Sequence, residues 1–255
     1  MNVINSLPID WHELQMQVAR IFSECGFAAE TDKAIETVRG TVNVDVYAED
    51  TTQTPHLIYL CECKLWKSAV PKTVVHSFRT VVVDHGANCG FIISSRRFQK
   101  GAYEAAANTN IRLLNWIQFQ ELFMERWIKA YMLPRLYEES DALIEYTEPI
   151  NSRIFRKADA LTPAQQESFR TLRNQYQVLA YLALHLSNQI YHPSMKVEIP
   201  QLPIKDGMQV DYRSIEGGLP PELCEACTLR DFLEAFSKYL QQGTAEFDQL
   251  FGERA

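Results

Sequence analysis

The stretch His56–Lys64 reads HLIYLCECK, and its pattern of apolar and charged residues decides the fold of the chain around it. Its bulky apolar middle predicts a buried β-strand. Because strand side chains alternate between two faces, Glu62 and Lys64 point to one face, and Cys61 and Cys63 point to the other. A carboxylate and an ammonium group at the end of an apolar strand are costly to desolvate, even as a pair. The pair therefore marks a candidate site, although most Glu-x-Lys sequences are solvated surface pairs.

The residues just before this strand predict its partner. Thr41–Tyr47 (TVNVDVY) is also β-prone and carries a single acidic residue, Asp45. If the two strands form a hairpin, the polar run Ala48–Pro55 forms its tip, and Asp45 lies beside Glu62. Two carboxylates and a lysine at one strand edge suit a hard divalent cation and a phosphate group.

The composition is that of an ordinary globular protein. The chain has 255 residues, of which 46% are hydrophobic and 22% are charged, so we expect a packed core in one large domain or two smaller ones. No apolar run is long enough to span a bilayer, and the N-terminus lacks a signal-peptide pattern, so we expect a cytoplasmic protein with no membrane partner. The six cysteines fit reduced thiols, and Cys224-x-x-Cys227 lacks the second Cys/His pair of a zinc site.

The charges are distributed unevenly along the chain. A net charge of −7 argues against general adhesion to nucleic acids, but it allows a local basic surface. Basic residues concentrate in one short stretch: Lys64, Lys67, Lys72, Arg79, Arg96, Arg97 and Lys100. Such a surface suits the phosphates of a nucleic-acid backbone, and solvated helix faces are the alternative.

The first 130 residues predict alternating helices and strands. Asp10 is a suitable N-cap of the first helix, Glu13 approximates a capping box, and Gly26 ends the helix. Its apolar stripe, which we expect to face the core, runs from Trp11 to Phe22. The later elements are strands over residues 34–40, 42–48, 57–64, 89–94 and 111–114 and helices over 72–84, 98–108 and 116–129. This order predicts an α/β fold with a mixed sheet flanked by helices.

The C-terminal half differs from the first half in its composition and in its predicted elements. Residues 131–160 mix acids, prolines and polar residues and predict a connecting segment. Thr162-Pro163 then opens a long helix that reaches Tyr191. The last elements are predicted as a small hairpin over residues 195–200 and 208–215 and two helices, Leu229–Leu240 and Ala245–Phe251. We therefore expect three parts: residues 1–130, a connecting segment 131–160, and a mostly α-helical C-terminal domain, 161–255.

Motifs in the first half follow one another in the order of a known family. They are Trp11-His12-Glu13-Leu14, Cys25-Gly26-Phe27, Val44-Asp45-Val46, Cys61-Glu62-Cys63-Lys64-Leu65-Trp66, Val74-Val75-His76-Ser77-Phe78, Gly86–Ser95, Phe98–Ala106 and Ile111–Leu114. With them, residues 9–123 resemble the catalytic domain of Mrr-like restriction endonucleases, in the PD-(D/E)xK nuclease superfamily. Ordered agreement across so many elements is far more specific than Glu-x-Lys alone.

The resemblance implies a restriction-endonuclease-like fold and a metal-dependent DNA endonuclease of bacterial restriction or defence. Asp45 and Glu62 would bind Mg²⁺ or Mn²⁺, and Lys64 would orient the attacking water and stabilise the transition state. At Glu13, relatives often carry an extra acidic metal contact, and a capping residue is its alternative role. DNA would be contacted by Lys67, Lys72, His76, Arg79, Arg96, Arg97 and Lys100. The C-terminal domain would form a homo-oligomer, sense an activating ligand or dock a partner protein.

Three features of the sequence leave other functions open. The glycine-rich turn that precedes the family's aspartate is replaced here by Thr41–Val44, and a glutamine common after the lysine is His76. The altered turn before Asp45 and the acidic net charge favour a nuclease-fold module that binds nucleic acid or a partner protein without catalysis. A resolvase-like or single-strand-specific nuclease would use the same site on another substrate.

Overall fold

The computed structural model of the protein describes residues 2–4, 7–190, 199–204 and 218–252. The chain divides into two compact units, one formed essentially by residues 6–131 and the other by 132–255. The hairpin predicted over residues 195–200 and 208–215 lies almost wholly outside the described residues.

The first unit is a mixed five-stranded sheet flanked by helices, which confirms the predicted fold class. Its elements are, in order, α1 (Trp11–Glu24), β1 (Ala28–Thr37), β2 (Gly40–Asp50), β3 (Leu57–Lys64), α2 (Lys72–His85), β4 (Cys89–Ser94), α3 (Lys100–Ala106), β5 (Ile111–Asn115) and α4 (Trp116–Trp127), followed by a π-helical turn (Ile128–Met132). The strand order in the sheet is the order in the chain. β1, β2 and β3 pair antiparallel, whereas β3, β4 and β5 pair parallel.

Helix α1 begins and ends where its capping residues predict. The Asp10 carboxylate accepts a hydrogen bond from the Glu13 N–H at 2.7 Å, and Gly26 just beyond the helix has a φ of +83°. That left-handed conformation favours glycine. Trp11, predicted on the core face, is instead 54% exposed. A helical side chain covers the turn before its own Cα, and Trp11 is the first helical residue, so no preceding turn lies beneath it.

The sheet is covered on both faces. On one face, the Phe22 ring of α1 packs against Phe91 of β4 and Phe123 of α4, with ring centroids 6.4 and 4.8 Å away. On the other face, Val75 of α2 packs in a buried cluster with Leu60 of β3. Burial on both faces explains why β4 is a continuous apolar run without alternation.

The second unit is helical in its described residues. Its elements are α5 (Leu133–Thr147), α6 (Ser152–Asp159), α7 (Pro163–Ser187), a 3₁₀ turn (Asn188–Ile190), α8 (Pro221–Glu225) and α9 (Leu229–Phe251). Thr162 caps α7 in a reciprocal capping box with Gln165. Residues 131–160, which are predicted from the sequence as a connecting segment, lie largely in α5 and α6. Helix α5 packs against α7 and α9.

The prediction of two final helices is wrong, because α9 runs unbroken from Leu229 to Phe251. Gly243 in its middle is a residue that favours helix termination in a sequence. In the structure, a Cβ at this position would lie 2.9 Å from Cδ1 of Tyr176 in α7 and 3.0 Å from Cδ1 of Leu143 in α5. The glycine therefore permits close packing of helices rather than ending one.

All six cysteines are free thiols, as the absence of a disulfide framework in the sequence predicts. Within the described ranges, no helix is both long and apolar enough to span a membrane.

Candidate active site

The candidate site forms where β2 and β3 separate. The two strands pair from Asp50 opposite Leu57 to Val46 opposite Cys61. Beyond that point, β2 continues beside β1 alone, and β3 continues beside β4 up to Lys64. The separation deprives backbone groups of their ladder partners, and such groups need another hydrogen bond when they are buried.

The side chain of Asp45 supplies one of the missing acceptors. Its Oδ2 accepts a hydrogen bond from the backbone N–H of Cys63 at 2.6 Å, across the gap between the strands. Its Oδ1 accepts a second hydrogen bond from Nε2 of Gln15 in α1 at 2.8 Å. A carboxylate has about four lone-pair positions, so both oxygens can still accept further bonds or bind a cation.

Gln15 is the residue of α1 that reaches this site. It is 1% exposed, and its Oε1 is buried without a hydrogen-bond partner within the described part of the chain. Glu13, predicted as the acidic contact from this helix, instead accepts a hydrogen bond from the Ile9 N–H at 2.7 Å. Two residues along a helix point to different sides of it, so Glu13 and Gln15 do not share a face. The sequence analysis missed Gln15, although a polar amide on the apolar stripe of α1 is a signal that could have indicated it.

Glu62 and Lys64 form an ion pair on one face of β3, as their spacing predicts. Both side chains are partly buried. Burial raises the pKa of the Glu62 carboxyl and the nearby Asp45 carboxylate raises it further, whereas the hydrogen bond and charge of Lys64 lower it. Glu62 is thus close both to the Lys64 ammonium and to a second carboxylate, and the excess negative charge in a partly buried place attracts a cation.

The neighbouring cysteines do not belong to the site. Burial raises the pKa of both Cys61 and Cys63 well above its ordinary value. Their side chains alternate with those of Glu62 and Lys64 along β3 and so lie on the opposite face of the strand. Within the described part of the chain, no three His, Cys, Asp or Glu side chains cluster as a metal site.

The predicted DNA-binding residues fall into two groups. Lys67, Arg96 and Arg97 line one cavity of about 440 Å³ beyond the carboxyl ends of β4 and β5. The other group does not line this cavity and consists of Lys72, His76 and Arg79 on α2 and Lys100 on α3. Lys100 lies 3.8 Å from Glu104, in an exposed pair one helical turn apart. Glu62 and Lys64 line a separate cavity of about 460 Å³ between the strand end and α2.

Comparison with known families finds a match, which lies in the first unit. Residues 7–123 match the model of the Mrr catalytic-domain family, which is described as a restriction endonuclease. No curated protein matches the chain. A solved structure that resembles it is the crystal structure of a protein of unknown function, AF1548, at 17% identity and a TM-score of 0.39. That match covers 72% of this chain and 98% of the other.

Proposed function

We propose that this chain is a metal-dependent endonuclease that hydrolyses phosphodiester bonds of DNA and serves in restriction or defence. The observation that supports this most directly is the meeting of Asp45, Glu62 and Lys64 where β2 and β3 separate. The match of residues 7–123 to the model of a restriction endonuclease family supports the same reaction class.

The oxygen atoms at the site fit a hard divalent cation. Asp45 and Glu62 offer carboxylate oxygens, and the buried Oε1 of Gln15 next to Asp45 has no hydrogen-bond partner within the described residues. Mg²⁺ is typically held by one or two carboxylates together with water and substrate phosphate. We therefore propose that Asp45 and Glu62 hold Mg²⁺ or Mn²⁺, with the amide oxygen of Gln15 available to the same shell. When bound, the ion lowers the pKa of a water ligand and offsets charge on the phosphate.

Side chains of this protein supply the other contributions to the reaction, which are charge stabilisation and the positioning of Asp45. Lys64 has three ammonium donors and uses one on Glu62, so two remain for a phosphate oxygen and the attacking water. In this partly buried place, its charge stabilises the negative charge that develops on the phosphate more than it would in water. Gln15 and the Cys63 N–H hold the Asp45 carboxylate in one orientation.

The test is a cleavage assay on plasmid, linear duplex and single-stranded DNA with Mg²⁺, Mn²⁺ or EDTA. Cutting should require the metal, and Lys64→Ala should lose about 100-fold or more of the rate, as removal of one electrostatic stabiliser does. Lys129→Ala is the matched control, because Lys129 lies in an exposed pair with Glu125 on a helix away from the site. Full cutting by Lys64→Ala would refute the proposal.

An absence of cutting by the wild type under all conditions would favour the non-catalytic module. Calorimetric titration with Mg²⁺ then distinguishes an enzyme that needs an activator from a degenerate site. An enzyme that needs an activator should bind Mg²⁺ through Asp45, and Asp45→Asn should abolish the signal. A degenerate site should bind no Mg²⁺ at all.

A further inference from the structure

Three cavities adjoin one another along the carboxyl ends of β3, β4 and β5. The first contains Glu62 and Lys64, and Trp66 lines both it and a second cavity of about 320 Å³. The second shares Lys67 and Arg96 with the third, the cavity of about 440 Å³. Each cavity therefore shares lining residues with the next, and the series starts at the candidate active site. We call it the strand-end groove and define it by Glu62, Lys64, Trp66, Lys67, Arg96 and Arg97.

Beyond Lys64, the strand-end groove is positively charged. Lys67, Arg96 and Arg97 are exposed, and no carboxylate pairs with any of them in the described part of the chain. No described Asp or Glu lines the second or third cavity. In a chain with a net charge of −7, three unpaired cations along one groove indicate an anionic ligand.

Arg96 and Arg97 lie in a turn whose backbone is held by hydrogen bonds. The Arg96 N–H donates to Oγ of the buried Ser94 at 3.1 Å, and the Arg97 carbonyl accepts from the Val70 N–H at 3.1 Å. The turn is therefore held at both residues, so less ordering entropy is lost when an anion binds there.

The groove also presents aromatic rings. Trp66 is 41% exposed, and Tyr103, which lines the third cavity, is 55% exposed. The Lys64 ammonium lies 5.7 Å from the centroid of the Trp66 ring. A base stacked on Trp66 would therefore belong to a nucleotide close to the scissile phosphate. Exposed rings beside a cationic track are the means by which proteins bind single strands, whereas the bases of an intact duplex are stacked on one another.

We infer that the strand-end groove binds a single-stranded segment of DNA, with its phosphates on Lys67, Arg96 and Arg97 and a base stacked on Trp66. The inference rests on the proposed function, since it names the substrate form of the same site. The substrate is then a single strand, or a duplex that is locally open at the cut.

The test is fluorescence anisotropy with the full wild-type chain in EDTA, which separates binding from cleavage. The probes are a labelled single-stranded 20-mer and a blunt duplex of the same sequence. We expect the single strand to bind at least about 10-fold more tightly. Trp66→Ala should weaken single-strand binding by about 5- to 150-fold, the range for loss of one stacked base, and Trp66→Phe should keep most of it.

Salt dependence tests the phosphate contacts separately. Each phosphate contact on a single strand contributes about 0.7 to the slope of log affinity against log salt, so Arg96→Ala/Arg97→Ala should reduce the slope by about 1.4. Tyr181→Ala and Arg153→Ala are the controls, because both residues are exposed in the helical unit. Both controls should bind like the wild type.

The outcomes distinguish this inference from the proposed function. Metal-dependent cutting that needs Lys64, together with duplex binding as tight as single-strand binding, would overturn the inference and leave the nuclease in place. Tight single-strand binding that depends on Trp66, without cutting under any condition and without calorimetric binding of Mg²⁺, would support the groove and refute the nuclease. Unchanged binding in both Trp66→Ala and the double arginine variant would overturn the groove itself.

Discussion

The pair of Asp50 and Arg126 ties the end of β2 to α4. The Asp50 side chain is fully buried and accepts two hydrogen bonds from the Arg126 guanidinium, at 2.5 and 3.0 Å. Nε of Arg126 donates to the Cys25 carbonyl at 2.8 Å, and the guanidinium lies 3.9 Å from the centroid of the Phe27 ring. We predict that Arg126→Met, which keeps an apolar stem but removes the guanidinium with its charge and donors, strongly destabilises the first unit.

The structure sets the expected size of the effect. Removal of one partner of a buried ion pair costs about 3–5 kcal/mol, because the other charge is left uncompensated. Two features reduce this figure. The Arg126 side chain is 31% exposed, and Thr52 continues to donate its N–H and hydroxyl to the Asp50 carboxylate. We therefore expect the free energy of unfolding to fall by about 2–4 kcal/mol.

The pair also sets a pH dependence. Hydrogen bonds from Arg126, and then from Thr52, hold the pKa of Asp50 well below its usual range. A carboxyl group with a lowered folded-state pKa binds protons more readily in the unfolded chain, so it stabilises the fold at pH values above its unfolded pKa of about 3.9. This stabilisation is lost as the pH falls below that value toward the folded-state pKa. The stability difference between wild type and Arg126→Met should therefore be largest near neutral pH and should narrow at pH 3.

Urea unfolding followed by tryptophan fluorescence measures this effect. All four tryptophans lie in the first unit, so the signal reports that unit alone. Lys129→Met is the control, since its exposed pair with Glu125 one turn away should contribute little to stability. A loss below about 1 kcal/mol in Arg126→Met, or a difference that stays constant from pH 7 to pH 3, would refute the reasoning.

Two further predictions concern residues that the packing places under constraint. Gln15→Leu removes the hydrogen bond that orients Asp45. Loss of such a supporting contact should slow metal-dependent cleavage by about 10- to 100-fold. An unchanged cleavage rate would show that Gln15 does not orient Asp45 for the reaction. Gly90→Ala places a Cβ 2.6 Å from Cγ2 of Val82 and 2.7 Å from Cδ1 of Ile111, so it should cost about 1–3 kcal/mol of stability in urea unfolding; a neutral result would show that α2 can shift.

The order of elements in the first unit follows from local signals in the sequence. The Asp10 cap and Gly26 bound α1, and the short apolar run of β4 requires burial on both faces. Period-two alternation alone places Glu62 and Lys64 on one face of β3. These features depend only on near neighbours in the chain, which is why they can be derived without the structure.

Features that depend on packing between elements could not be derived in the same way. Helical spacing places Gln15 on the apolar stripe of α1, but which residue of that stripe meets Asp45 is set by how the helix lies across the sheet. Likewise, Gly243 is a helix breaker by local propensity, and only its close approach to α7 shows why α9 passes through it. Trp11 has the helical spacing of the apolar stripe, but it is the first residue of α1, so no preceding helical turn lies beneath its side chain.

Asp45 has two roles that the choice of substitution can separate. Its carboxylate replaces a backbone acceptor for the Cys63 N–H where the strands part, and it is also a proposed metal ligand. Asp45→Ala should therefore lose both cutting and about 1–3 kcal/mol of stability, because the Cys63 N–H is left without its acceptor.

Asp45→Asn should lose cutting but stay close to wild-type stability. The amide oxygen of the asparagine can still accept from Cys63, and the Gln15 amide can turn over so that its unpaired Oε1 accepts from the new NH₂ group. Cleavage assays and urea unfolding of both variants measure the two effects side by side. If Asp45→Asn were as unstable as Asp45→Ala, the charge of Asp45 would be required for the fold itself. In that case, loss of cutting in either variant would no longer identify a metal ligand. If instead Asp45→Asn is stable and inactive, the carboxylate is needed for chemistry, and the hydrogen-bond acceptor alone is needed to hold the parted strands.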